Sequence, residues 1–167
     1  MAIQKRSGGL VLYRRNSASG EILVLVAHPG GPFFQNKDEG WWSIPKGEPN
    51  PNEDIFFAAI REFEEETGMT PSGPYIDLGS IIQKNGKAVS AWAFEGDWPK
   101  DRSLVCNEIT MEYPKGSGKQ WTFPEIDRVL LLPISEAKIK LRPEQAVLLD
   151  RLIECLPQAK QARSSKG

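Results

Sequence analysis

The stretch from Gly47 to Met69, GEPNPNEDIFFAAIREFEEETGM, constrains this chain more than any other. It carries the signals of one helix. Asn50 is a candidate N-cap, Pro51 suits N1, and Glu53 at N3 completes a capping-box-like N-x-x-E. Gly68 is placed to end the helix as a C′ residue. Phe56, Ile60 and Phe63 recur at helical spacing and predict the buried stripe. Glu62, Glu65 and Glu66 stand at i, i+3 and i+4, so they share a different face. Ala58 falls near that face, where a small side chain leaves room for a ligand. Six acids against one base, Arg61, lie between Glu53 and Glu66. Such like-charge neighbours repel by a few tenths of a kcal/mol per pair. A hard divalent cation such as Mg²⁺ or Mn²⁺ reverses that repulsion, because it favours carboxylate oxygens. A solvated acidic helix face is the alternative, and for a bare E-x-x-E-E it would be the better reading.

The full spacing goes further. Gly47, Glu53, Arg61, Glu62, Phe63, Glu65, Glu66, Gly68 and Met69 fill every defined position of G-x5-E-x7-R-E-φ-x-E-E-x-G-φ, with φ apolar. In this the chain resembles the Nudix hydrolase family. The resemblance implies hydrolysis of a phosphoanhydride with Mg²⁺ or Mn²⁺ as cofactor. It implies metal ligation by Glu62, Glu65, Glu66 and the Gly47 carbonyl. Glu62 doubles as candidate base, and Arg61 positions the carboxylates. Glu53 lies on another helix face, so a structural role is expected for it. Family members often add an acid from outside the motif, for which Glu112 and Glu108 are the candidates. Asn52 stands where a glycine often precedes the first motif glutamate. The run Trp42-Ser43-Ile44-Pro45-Lys46-Gly47 resembles the diadenosine polyphosphate hydrolase branch. Lys46 then reads as a phosphate contact, with an exposed loop lysine as the alternative. A nucleotide or ADP-ribose sensor is the reading from another class, but such sensors usually carry a damaged motif. Nucleoside triphosphates or nucleotide sugars are alternative substrates.

The rest of the chain bounds these readings. At 167 residues a single domain over 1–157 is expected, with 158–167 as a flexible tail. A net charge of −1 gives no Lys/Arg surplus for extended nucleic acid. No apolar run is long enough to cross a membrane, and no leader-like segment follows Met1. Cys106 and Cys155 read as free thiols. A cytoplasmic monomer or homodimer acting on a small nucleotide fits these features.

In chain order, Ser7–Tyr13 and Glu21–Ala27 read as a hairpin whose first strand opens on flexible glycines. His28–Phe34 is a Pro/Gly loop, in which His28, the only histidine, reads as a hydrogen-bonding residue. Trp41–Ile44 reads as a short strand. Tyr75–Gln83 and Lys87–Glu95 form a hairpin across Asn85-Gly86. Asn107–Tyr113, Trp121–Phe123 and a buried Arg128–Leu132 are further strands. Gly118-Lys119 fails the P-loop pattern and reads as a turn. Ser135 is a candidate cap for a helix to Lys140. Pro143 starts a last helix, with Leu148, Leu149, Leu152, Ile153 and Leu156 on its packed face. This order fits an α+β chain, an α/β/α sandwich with a mixed sheet. Phe33, Phe34, Trp41, Tyr113 and Trp121 are the aromatic candidates for stacking a base.

Overall fold

A computed structural model describes residues 5–156; the expected tail lies outside them. Among the described residues eight strands and three helices follow one another. They are β1 (Arg6–Arg15), β2 (Ile22–Pro29), β3 (Lys46–Gly47), α1 (Ile55–Thr67), β4 (Tyr75–Ile82), β5 (Ala88–Glu95), β6 (Glu108–Glu112), β7 (Gln120–Pro124), β8 (Ile126–Pro133), α2 (Ile134–Lys140) and α3 (Pro143–Cys155). The main sheet runs β4-β5-β1-β2-β8, with β3 paired to β1. Only β1 and β5 pair in parallel, so the sheet is mixed.

Alternation along β1 and β2 divides the core. Val11, Tyr13, Val24 and Val26 pack with Leu148, Leu149 and Leu152 of α3. Leu10, Leu12 and Leu25 point the other way, onto Ala59 and Phe63 of α1. The sheet therefore lies between two helical layers, as the element order predicts. Gly8 and Gly9 are needed for close approach, not flexibility. A Cβ on Gly8 would run into the Ile55 carbonyl of α1, and one on Gly9 would meet Ile44 and Pro45.

The first half of β1 pairs with β3 at Gly8↔Gly47 and Gly9↔Lys46, and the second half pairs with β2 from Tyr13↔Val24. The segment before β3 bridges to β2 at Ala27↔Ser43. It thus wedges β1 and β2 apart at one end, and the site lies in that opening.

Several local expectations are corrected. The helix begins at Ile55, and Asp54 is its cap, accepting from the Phe56 N–H at 2.8 Å. Asn50 instead opens a preceding turn. It donates its N–H to Glu53 Oε1 at 2.8 Å, so the capping-box contact exists one turn too early. Asn52, at φ 66°, is the reason, since a left-handed residue cannot sit inside the helix. Trp41–Ile44 forms only single bridges, because it fills a wedge and not a sheet edge. β8 is an edge strand and is partly exposed, with Leu130 at 39%. α2 follows β8 directly after Pro133, which leaves Ser135 inside the first turn and no side-chain cap. Ile153 is exposed while Leu148, Leu149, Leu152 and Leu156 are buried. His28 belongs to β2 and is fully buried. No helix among the described residues is long and apolar enough to cross a membrane.

Candidate active site

Helix α1 presents its acids toward the wedge. Arg61 fixes their arrangement. Its Nε and Nη2 grip Glu53 at 2.9 and 2.8 Å, and Nη1 donates to Glu62 at 3.1 Å and to Glu65 at 3.2 Å. Nη2 also ties down the Glu48 carbonyl at 3.1 Å, which anchors the loop after β3. Glu53 is thereby tied to Arg61 and to the Asn50 N–H. The Arg61 guanidinium and the Asn50 N–H hold its carboxyl down at about 2. Gly47 passes so close to Glu62 that a Cβ there would fall on the carboxylate. That contact explains why the position takes glycine. Gly68 ends α1 at φ 78°, with its N–H on the Glu64 carbonyl at 2.8 Å.

Glu62, Glu66 and Glu125 converge, each offering an oxygen within 4.8 Å of the others. Burial raises the affinity of all three for protons, and repulsion between neighbouring carboxylates adds to it. Glu66, at 4% exposure, is raised most, by burial and then by Glu125 and Glu62. One buried and two half-buried carboxylates that repel one another match the preference of Mg²⁺ or Mn²⁺, so the residues fit the cofactor. Lys46 brings positive charge to Glu66, and burial pushes its amine below the usual lysine range.

Glu125 escaped the sequence reading. Its signal was faint: one acid between Pro124 and the strand Ile126–Pro133. Backbone bonds bring it to the helix, from the Asn107 N–H to the Glu65 carbonyl at 3.1 Å and from the Glu125 N–H to the Asn107 carbonyl at 2.9 Å. Glu112 does not join the cluster. Strand pleating turns Ile109, Met111 and Tyr113 toward the site and Glu108, Thr110 and Glu112 away from it. Glu112 instead accepts the Gly116 and Gly118 N–H groups at 3.1 and 2.7 Å and shapes the hairpin turn. Glu65 stays beside the trio, held by Arg61.

A cavity of about 430 Å³ runs from Glu66 and Glu125 past Lys46 to the aromatic loop after β2. Phe33, Phe34 and Trp41 form one wall, and the apolar face of the β6–β7 hairpin, with Ile109, Met111, Tyr113 and Phe123, forms the other. The expected base-stacking candidates Phe33, Phe34, Trp41 and Tyr113 thus meet around one cavity, and Trp121 supports Tyr113 edge-on at 6.2 Å. Arg142 also lines it and was not foreseen. His28 holds the aromatic loop from beneath. Its Nε2 donates to the Lys37 carbonyl at 2.7 Å, and its Nδ1 meets Asp127 at 2.8 Å.

The model of the NUDIX domain family matches residues 4–152. The chain belongs to the NUDIX family. Among its NUDIX relatives is the asymmetrical bis(5′-nucleosyl)-tetraphosphatase of Caenorhabditis elegans, 37% identical over 65 residues, which are 39% of this chain and 41% of the relative. The rat enzyme of the same name is 29% identical over 102 residues, 54% of this chain and 64% of its own. The chain spans less than two thirds of the curated relatives it matches. A crystal structure of a C. elegans Ap4A hydrolase binary complex superposes with a TM-score of 0.64 at 23% identity, covering 91% of this chain and 98% of that one. That likeness bears out the NUDIX α/β/α fold.

Proposed function

We propose that this NUDIX protein is a Mg²⁺- or Mn²⁺-dependent hydrolase that cuts the phosphate chain of dinucleoside polyphosphates. The observation that carries the reading is the convergence of Glu62, Glu66 and Glu125 at one end of an aromatic cavity. The tetraphosphatase relatives and the Trp42–Gly47 run support the substrate class. Bound there, the cation would neutralise phosphate oxygens and activate the attacking water.

The chain's own residues supply the rest. Glu62, Glu66 and Glu125 would hold the cation. Arg61 orients Glu62, which is placed to take the proton of the attacking water. Lys46, beside Glu66 on the cavity wall, would meet a phosphate oxygen. Aromatic rings accept a base, and stacking contributes about 1 kcal/mol beyond buried area. Attack inside the chain leaves a nucleoside triphosphate or longer as one product.

The test is a metal-supplemented screen of diadenosine tetra- to hexaphosphate, ATP, dGTP and ADP-ribose at equal free metal, with products identified. The diadenosine compounds are expected to show the highest kcat/KM, and excess EDTA to abolish turnover. A preference for dGTP would move the substrate assignment, and full turnover in EDTA would remove the metal from the account.

A further inference from the structure

Trp41 is not a bare stacking surface. The Lys37 ammonium stands 5.1 Å from its ring centroid and the Arg142 guanidinium 5.6 Å. Lys37 also lies 5.6 Å over Phe33. All three distances are within cation–π range. One indole therefore carries two cations beside the cavity, which leaves base stacking to Phe34 and Tyr113.

Neither cation has an acid partner among the described residues, although acids are near. Asp38, next to Lys37 in sequence, binds Lys140 at 2.8 Å and the Trp42 indole N–H at 2.8 Å. Asp127 is taken by His28 at 2.8 Å and Arg128 at 3.6 Å. Arg142 is the N-cap of α3, and its side chain makes no cap bond. A cation there opposes the helix dipole, so its placement does not serve the helix. Its charge reaches Lys46 on the cavity wall. Lys46 and Arg142 line the cavity together with Glu66 and Glu125, and Lys37 stands over the Trp41 and Phe33 rings of its wall.

We propose that Lys37 and Arg142, held over Trp41, clamp the phosphates between the reacting phosphorus and the bound base, and so set a preference for long phosphate chains. This rests on the hydrolase reading above. The two cations are specificity-determining residues, and Trp41 is the positioning residue that holds them. Arg142 offers a planar fork that matches phosphate oxygens, and Lys37 a point charge at the rim.

Lys37→Gln, Arg142→Gln, Trp41→Leu and Trp41→Phe test the proposal, with Arg128→Gln as control. Diadenosine pentaphosphate and ADP-ribose are compared for kcat and KM separately. Loss of a charge-assisted phosphate contact corresponds to about a tenfold rise in KM for the pentaphosphate in each Gln variant. ADP-ribose, with only two phosphates, should respond about twofold or less. Trp41→Leu should copy this pattern and Trp41→Phe should largely restore it. Arg128→Gln should match the wild type, and thermal unfolding of Arg142→Gln should not fall. Equal KM rises for both substrates, or no rise, overturn the clamp. If the wild type turns over neither compound, the hydrolase reading fails separately. Calorimetric titration with inorganic tripolyphosphate then decides. Binding about tenfold weaker in the Lys37→Gln/Arg142→Gln double variant supports the clamp, and equal binding overturns it.

Discussion

Glu53 and Glu66 belong to the same motif, yet their surroundings drive them in opposite directions. Glu53 is gripped by Arg61 and lowered to about 2. Its contribution to stability is present above the unfolded value, near 4.5, and is lost as pH falls toward about 2. Glu66 is raised by burial, Glu125 and Glu62. Without metal, its charged form destabilises the fold, fully so above its raised pKa and not at all below the unfolded value. Glu66→Gln should therefore raise the melting temperature of the metal-free protein at neutral pH. The gain should vanish near pH 4, where unfolded glutamate itself takes up protons. With saturating Mn²⁺ the order should reverse, because the wild type alone keeps the full ligand set. Melting curves with and without Mn²⁺ across this range check both signs.

At the scale of elements, the turn into α1 is the most instructive piece. Asn52 holds φ at 66°, a conformation that costs most residues about 1–2 kcal/mol but suits glycine and is tolerated by asparagine. This gives a physical reason for the glycine that often precedes the first motif glutamate. Asn52→Gly should leave urea stability unchanged or slightly higher, whereas Asn52→Val should lower it by about 1–2 kcal/mol. The sequence could not place this turn, since N-x-x-E reads equally well as a helix cap or as the turn before one. Helix α1 itself was legible, because its apolar stripe and acidic face repeat within one local stretch. Five of the six strands of the main sheet were legible for the same reason. The insertion of β3 between β1 and β2 was not, since a two-residue pairing leaves no periodic trace. Glu125 was hidden in the same way: its place depends on backbone bonds through Asn107, which no side-chain pattern announces. Glu112 looked as good in sequence, and only the pleat of the β6–β7 hairpin turns it away.

For the whole molecule, the sheet works as a divider that brings distant pieces to one opening. Helix α1 supplies Glu62 and Glu66 from one layer, the β7–β8 junction supplies Glu125, and α3 supplies Arg142 from the opposite layer. We propose that Glu125, not Glu112, is the carboxylate that completes the metal site. The most direct measurement is the rate of diadenosine tetraphosphate hydrolysis in Mg²⁺ or Mn²⁺ by Glu125→Gln and Glu112→Gln. Each is run beside Glu66→Gln and the wild type. Loss of a ligand that holds the cation predicts a fall of about a hundredfold or more for Glu125→Gln and Glu66→Gln. Glu112→Gln, which touches only its hairpin turn, should stay within about threefold of the wild type. A Glu125→Gln variant at wild-type rate, or a Glu112→Gln variant as impaired as Glu66→Gln, would contradict the account.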